Sequence, residues 1–201
     1  MDQLIIATAN KKKFKEIKKI LGKNTFRIKY LLDFKERPRI VESGRSFFEN
    51  ARIKAIKTSL FYDSLALGED SGLQVLALGG RPGIFSSRFA GKTADDKKNI
   101  DKLLKELKGV AYPKRKARFF CCAVLAYKGK VVGKFEGSLQ GFISFKTEGG
   151  SGFGYDPVFF VPELKKTLAQ VPPKVKNRLS HRYKAISKFS KFLRNYLERV
   201  S

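Results

Sequence analysis

The chain has no tryptophan, one methionine and a single histidine among 201 residues. One histidine cannot build a His-rich zinc shell, so that metal chemistry is set aside. Cysteine is nearly absent, with Cys121 and Cys122 side by side. Neighbouring cysteines are poorly placed to bridge each other. They sit in an apolar run from Phe119 to Leu125, so buried free thiols are expected, which fits a reducing cytoplasm. No stretch approaches the ~18 apolar residues of a membrane span. The first apolar run, Leu4 to Ala7, is too short for a signal peptide. A cytoplasmic protein with no membrane partner is therefore expected. Acidic residues are also scarce: Asp and Glu number 18 against 43 Lys and Arg, a net charge of +25. A surface this basic attracts polyanions, nucleotide phosphates and nucleic acid among them. A general bias toward lysine-rich surfaces explains the same number, so composition does not choose the partner.

Apolar residues make up 42% of the chain and charged residues 30%, which places it with soluble globular proteins. Its length suits a single domain over residues 1–201 or one domain with two lobes. Leu4 to Ala7 read as a buried strand, and Thr8, Ala9 and Asn10 as a turn with a helix cap. Residues 11–21 read as a helix with Phe14, Ile17, Ile20 and Leu21 on one face. A strand over 26–32 completes an α/β opening. A helix over 46–61 carries Phe48, Ala51, Ala55, Ile56 and Leu60 as its apolar stripe. A short strand, Leu65 to Leu67, runs into Gly68-Glu69-Asp70-Ser71-Gly72. Gly79, Gly80, Pro82 and Gly83 mark a loop, and residues 94–107 a helix. Residues 117–127 and 130–136 flank Lys128-Gly129 as a hairpin. A last helix runs from about Arg182 to Val200. The fold class expected is α/β, a mixed central β-sheet flanked by helices, with two lobes around a nucleotide-binding cleft.

Five clusters could carry chemistry. Thr8-Ala9-Asn10-Lys11-Lys12-Lys13 sits where a strand becomes a helix, a place that favours phosphate. It lacks the glycines of a P-loop, and a simple helix cap with solvated lysines also explains it. Glu69 and Asp70 follow a strand, at the sheet edge where α/β folds place ligands. Adjacent carboxylates suit Mg²⁺ or a water-activating base, although a polar turn reads the same. Glu42 lies before a helix that carries Glu49, Asn50 and Lys54. Gly152-Phe153-Gly154-Tyr155-Asp156-Pro157 offers an aromatic for base stacking and a carboxylate acceptor, or a glycine-rich turn with a core aromatic. Lys176, Ser180, His181 and Arg182 suit a carbonyl-bearing base better than a metal.

Taken together the clusters resemble one family. Thr8-x-Asn10-x-x-Lys13, Glu42-x-Gly44-x-x-Phe47-x-Glu49-Asn50-Ala51, Glu69-Asp70-Ser71-Gly72-Leu73, Gly83-x-x-Ser86-x-Arg88, Phe153-Gly154-Tyr155-Asp156-Pro157 and Ser180-His181-Arg182 occur in order. The set is similar to the inosine/xanthosine triphosphate pyrophosphatases and covers essentially the whole chain. The resemblance implies hydrolysis of ITP, dITP or XTP to monophosphate and pyrophosphate, with Mg²⁺ as cofactor, and a homodimer. It implies Asp70 as general base and Glu42, Glu69 and Asp70 as metal carboxylates. It implies that Thr8, Ala9, Asn10, Lys11, Lys12, Lys13 and Lys54 hold phosphate. Ser71, Phe153, Gly154, Tyr155, Asp156, Lys176, His181 and Arg182 are implied around the nucleotide, with Phe153 stacking and His181 and Arg182 donating to a 6-oxo group. Residues 162–201, with eleven basic and two acidic residues, exceed what that activity requires. The main rival is a basic nucleic-acid-binding module; a second is a related nucleotide pyrophosphatase with another base preference.

Overall fold

A computed structural model describes residues 3–22, 26–91 and 95–200, with side chains through residue 198. Seven strands form one mixed sheet in the order β2-β1-β3-β4-β5-β6-β7. They are β1 (Gln3–Ile6), β2 (Arg27–Tyr30), β3 (Leu65–Val75), β4 (Lys116–Tyr127), β5 (Lys130–Ile143), β6 (Phe159–Val161) and β7 (Lys166–Thr167). The helices are α1 (Lys11–Leu21), α2 (Phe47–Tyr62), α3 (Asp96–Glu106), α4 (Pro173–Leu179) and α5 (His181–Val200). Strand β1 runs parallel to both β2 and β3, while β5, β6 and β7 pair antiparallel. The chain divides into two compact units. The first comprises Met1–Asp70, Cys121–Gly137 and His181–Ser201; the second comprises Ser71–Phe120 and Ser138–Ser180.

The core of the first unit is built from Leu4 and Ile6, Ile17 and Leu21, Leu65 and Leu67, Leu125, and Ile186, Phe189 and Leu193. Helix α1 forms where its period predicts. Asn10 caps it, accepting from the amides of Lys12 and Lys13. Phe14 stacks on Tyr30 with ring centroids 4.0 Å apart. The β4–β5 hairpin turns on Lys128 (φ 47°) and Gly129 (φ 74°), two left-handed residues in succession, the twist that suits a tight hairpin. The core of the second unit joins Leu73, Val75, Leu103, Phe119, Ile143, Val158 and Phe159.

Two expectations change, and one helix was not expected. Helix α2 buries only part of the stripe expected of it: Ala51 and Ala55 are buried and Leu60 is 61% exposed, while Asn50, Lys54, Thr58 and Ser59 join the buried face. Asn50 and Lys54 are on the buried face because they reach Asp70, which apolar spacing does not foresee. Strand β3 does not stop at Leu67; it stays extended through Glu69, Asp70 and Gly72 to Val75. Helix α4 forms in the basic segment after Pro172, with Pro173 at its start, where proline's missing N–H is harmless. Of the helix expected over 94–107, residue 94 lies outside the described residues.

Two glycines set close approaches. A Cβ on Gly68 would lie 2.0 Å from the Ala51 carbonyl oxygen and 2.7 Å from the Ala55 nitrogen. Strand β3 therefore crosses directly over the backbone of α2. A Cβ on Gly137 would lie 2.2 Å from the His181 carbonyl oxygen, so β5 meets the start of α5 in the same way. Gly68→Ala should lower stability by about 1–3 kcal/mol, as overpacking does. Gly150→Ala, where a Cβ meets nothing within 4 Å, should leave the urea midpoint near wild type. Equal midpoints for the two variants would refute the close crossing.

Candidate active site

In an extended strand successive side chains leave on opposite faces. Glu69 and Asp70 therefore part company, although they are neighbours. Each is buried, at 2% and 6% exposure, and each meets its own cations.

Glu69 faces α1 and α5. Its Oε2 accepts from Lys13 Nζ at 2.8 Å, and its Oε1 from Arg182 Nε at 3.3 Å and Nη2 at 3.2 Å. Cys121 Sγ donates to Oε1 as well, at 3.3 Å. Burial alone would lift the Glu69 carboxyl; Lys13 and Arg182 outweigh it and hold it well below the usual carboxylate range. Arg182 also pairs with Glu16 of α1. For Arg182, burial pulls the other way, but Glu69 and Glu16 keep the guanidinium charged. Glu16 and Cys121 were not singled out from sequence. Glu16 had one available signal, as the only acid in a helix of lysines.

Asp70 faces α2. Lys54 Nζ donates to Asp70 Oδ1 at 2.9 Å and to Glu42 Oε1 at 3.1 Å. Asn50 Nδ2 reaches Asp70 Oδ2 at 3.4 Å, while its Oδ1 accepts from the Gly44 amide at 2.9 Å. Burial pushes the Asp70 carboxyl above its usual value, against the opposing pull of Lys54 and Lys13. Burial also works against the Lys54 charge, but Asp70, Glu42 and Glu69 together raise its pKa. Gly44 is required here, since a Cβ would lie 2.6 Å from Glu49 Cβ and 2.7 Å from Asn50 Oδ1.

The Thr8–Lys13 segment is a self-satisfied cap. Thr8 Oγ1 accepts from the Asn10 amide at 3.1 Å, and Asn10 Oδ1 takes the amides of Lys12 and Lys13. Cationic side chains, more than these amides, are then what the segment offers an anion. Ala9, Lys11 and Lys12 are exposed, and Lys13 is half-buried. His181 is the first residue of α5, beside Arg182.

In the second unit Asp156 organises the Gly-rich loop. It is buried, its Oδ2 accepts from the Phe153 amide at 2.8 Å, and it pairs with Lys176 of α4. Lys176 Nζ lies 5.1 Å from the centre of the Phe153 ring. A Cβ on Gly152 would lie 2.1 Å from Asp156 Oδ2, so the loop closes tightly on that carboxylate. The Gly154 amide donates to Asp96 of α3 at 2.8 Å, and Tyr155 Oη donates to the Ser86 carbonyl at 2.8 Å. Phe153 is left half-buried, Tyr155 is buried, and Ser71 is half-buried in β3. Asp96 is a further residue that sequence reasoning did not select.

A model of the Ham1 family matches residues 4–192. The chain belongs to the Ham1 family. It is 46% identical over 193 residues to a dITP/XTP pyrophosphatase of Halalkalibacterium halodurans, covering 96% of this chain and all of that one. It is 43% identical over 201 residues to a dITP/XTP pyrophosphatase of Listeria monocytogenes, covering 100% and 99%. Among solved structures, a HAM1 protein from Coxiella burnetii superposes with a TM-score of 0.89 at 35% identity, covering 97% of this chain and all of that one. The Ham1 protein of Staphylococcus aureus gives 0.88 at 34% identity with the same coverage. The mixed α/β fold of this Ham1 chain is thus the fold of its relatives.

A divalent cation fits the Glu42–Asp70 side of this Ham1 site. Two carboxylate oxygens from different elements already converge on one positive charge, the Lys54 ammonium. Among the described residues no group of three or more His, Cys, Asp or Glu is arranged to hold a metal. A cation that keeps waters and takes substrate phosphate oxygens needs only one or two protein carboxylates. Glu69, also implied at the metal, faces the other side of β3, toward Lys13 and Arg182.

Glu69→Gln should leave Lys13 and Arg182 short of a buried partner charge and cost about 3–5 kcal/mol. Glu148→Gln breaks only a long, exposed pairing with Lys146 at 3.8 Å and should cost under about 1 kcal/mol. Urea denaturation of both variants checks this; a Glu69→Gln midpoint as mild as that of Glu148→Gln would refute the network.

Proposed function

We propose that this chain hydrolyses non-canonical purine nucleoside triphosphates, dITP, XTP and ITP, to the monophosphate and pyrophosphate, and so clears deaminated purines from the nucleotide pool. The observation that carries this reading is the buried Asp70 carboxylate between Lys54 and Asn50, in a chain nearly half identical along its length to a dITP/XTP pyrophosphatase. The substrate brings roughly four negative charges, and its leaving pyrophosphate must be stabilised as it departs. The half-buried Lys13 and the buried Lys54 supply positive charge for that purpose, and the exposed Lys11 and Lys12 extend it outward. Asp70 is the base: it takes a proton from water as the water oxygen joins phosphorus and the α–β bridging bond breaks. Its raised pKa suits a proton acceptor better than an ordinary surface aspartate would. Mg²⁺, held by Glu42 and Asp70, would neutralise phosphoryl oxygens. Asn50 keeps Asp70 oriented, with its own amide fixed by Gly44.

Base choice rests on donors. Adenine presents an amino group where hypoxanthine and xanthine present an oxygen. His181 and Arg182 are the donors proposed to meet that oxygen, and adenine would set its own donor against them. Phe153 is the ring proposed to stack on the base, held in place by the Asp156–Lys176 pair. The same resemblance supports a homodimer, and the buried free thiols support a reducing cytoplasm.

With Mg²⁺ present, dITP and XTP should give monophosphate and pyrophosphate, and dATP should turn over at least about 10²-fold more slowly. Ion chromatography of products decides it: orthophosphate as first product, or equal rates on dATP or pyrimidine nucleotides, sinks the reading. Asp70→Asn should lose at least about 10²-fold in kcat while circular dichroism stays native. Retained turnover in that variant would remove Asp70 from the chemistry.

A further inference from the structure

Much of the positive charge points away from the carboxylates. Helix α1 carries six lysines in eleven residues. Lys13 turns inward to Glu69, but Lys11, Lys12, Lys15, Lys18 and Lys19 are exposed. At 3.6 residues per turn these five fall within about 120° of arc, one continuous stripe. Helix α5 does the same with Lys184, Lys188, Lys191 and Arg194, spaced four, three and three apart.

The two helices adjoin. Ile17 and Leu21 of α1 share a core with Ile186, Phe189 and Leu193 of α5, and Glu16 pairs with Arg182. Within the two helices acidic residues do not offset the stripes. The one acid of α1, Glu16, is turned to Arg182, and the one acid of α5, Glu198, lies near its end. Lys15, Lys18, Lys19, Lys191 and Arg194 have no part in the nucleotide chemistry above.

Two polyanions could answer such a face, a phosphodiester strand or an anionic bilayer. A helix that lies in a bilayer surface presents apolar side chains beside its cations. Here the apolar faces of α1 and α5 are turned into the core. Among the described residues, no large exposed hydrophobic side chain lies on either helix. The charge pattern therefore matches a strand of phosphates without apolar insertion. We propose that the outward faces of α1 and α5 bind the phosphodiester backbone of nucleic acid, through phosphate contacts and without base readout.

The test is affinity against salt, using a fluorescent single-stranded RNA of mixed sequence, a DNA duplex, and vesicles of phosphatidylserine. Wild-type protein should bind RNA at low salt, with log affinity falling linearly against log salt as counterions are released. The full-length variant Lys15→Gln, Lys19→Gln, Lys191→Gln, Arg194→Gln should lose about 0.7 per removed contact, near 2.8 in that slope for RNA. Its dITP turnover should equal wild type, which keeps this result independent of the catalytic reading. No RNA or DNA binding at low salt overturns the proposal. So does an unchanged slope in the variant, or binding to vesicles with none to nucleic acid.

Discussion

Neighbouring side chains on an extended strand cannot point the same way, and that geometry governs how this protein handles its acids. Glu69 and Asp70 sit side by side in a long strand, each almost wholly buried. One turns to α1 and α5, the other to α2. Two buried carboxylates on one face would repel and force protonation of one of them. On opposite faces each is paired directly with different cations, Glu69 with Lys13 and Arg182 and Asp70 with Lys54. Gly68, one residue earlier, brings the strand within reach of α2 and so of Lys54.

The two carboxylates are then tuned apart. Glu69 has more cation than it needs and is held firmly ionised. Asp70 shares Lys54 with Glu42, and burial raises its proton affinity. The first is suited to fixing side chains in place, the second to accepting a proton. Environment divides these roles between two chemically similar groups. Buried ion pairs of this kind contribute little net stability and much geometric constraint.

Periodic elements were legible in the sequence. Helix α1 follows its apolar spacing, and Lys128-Gly129 marks a tight turn where two left-handed residues stand. What misled is concentrated at the site. Glu69 to Gly72 have turn-like composition, yet the segment stays extended, because its polar groups find buried partners rather than water. Helix α2 mixes Asn50 and Lys54 with Ala51 and Ala55 on its inward face and leaves Leu60 outside, so apolar spacing locates that face only in part. Motif order brought Glu42, Asp70 and Lys13 into view, but not Glu16, whose partner is an arginine far along the chain, or Cys121, which donates to Glu69. Local sequence rules fail here because function overrides propensity.

The alternation that separates Glu69 from Asp70 recurs in β4, where Cys121 and Cys122 stand next to each other. One thiol is hydrogen-bonded to Glu69 and pushed far up by burial; the other is raised to about 12, also chiefly by burial. Neither is a thiolate at neutral pH, and so neither is a nucleophile in the closed molecule. One strand thus carries a silent chemical reporter on each side of the sheet. Alkylation of either records an excursion in which that side has come open, a native clock for how often the molecule breathes.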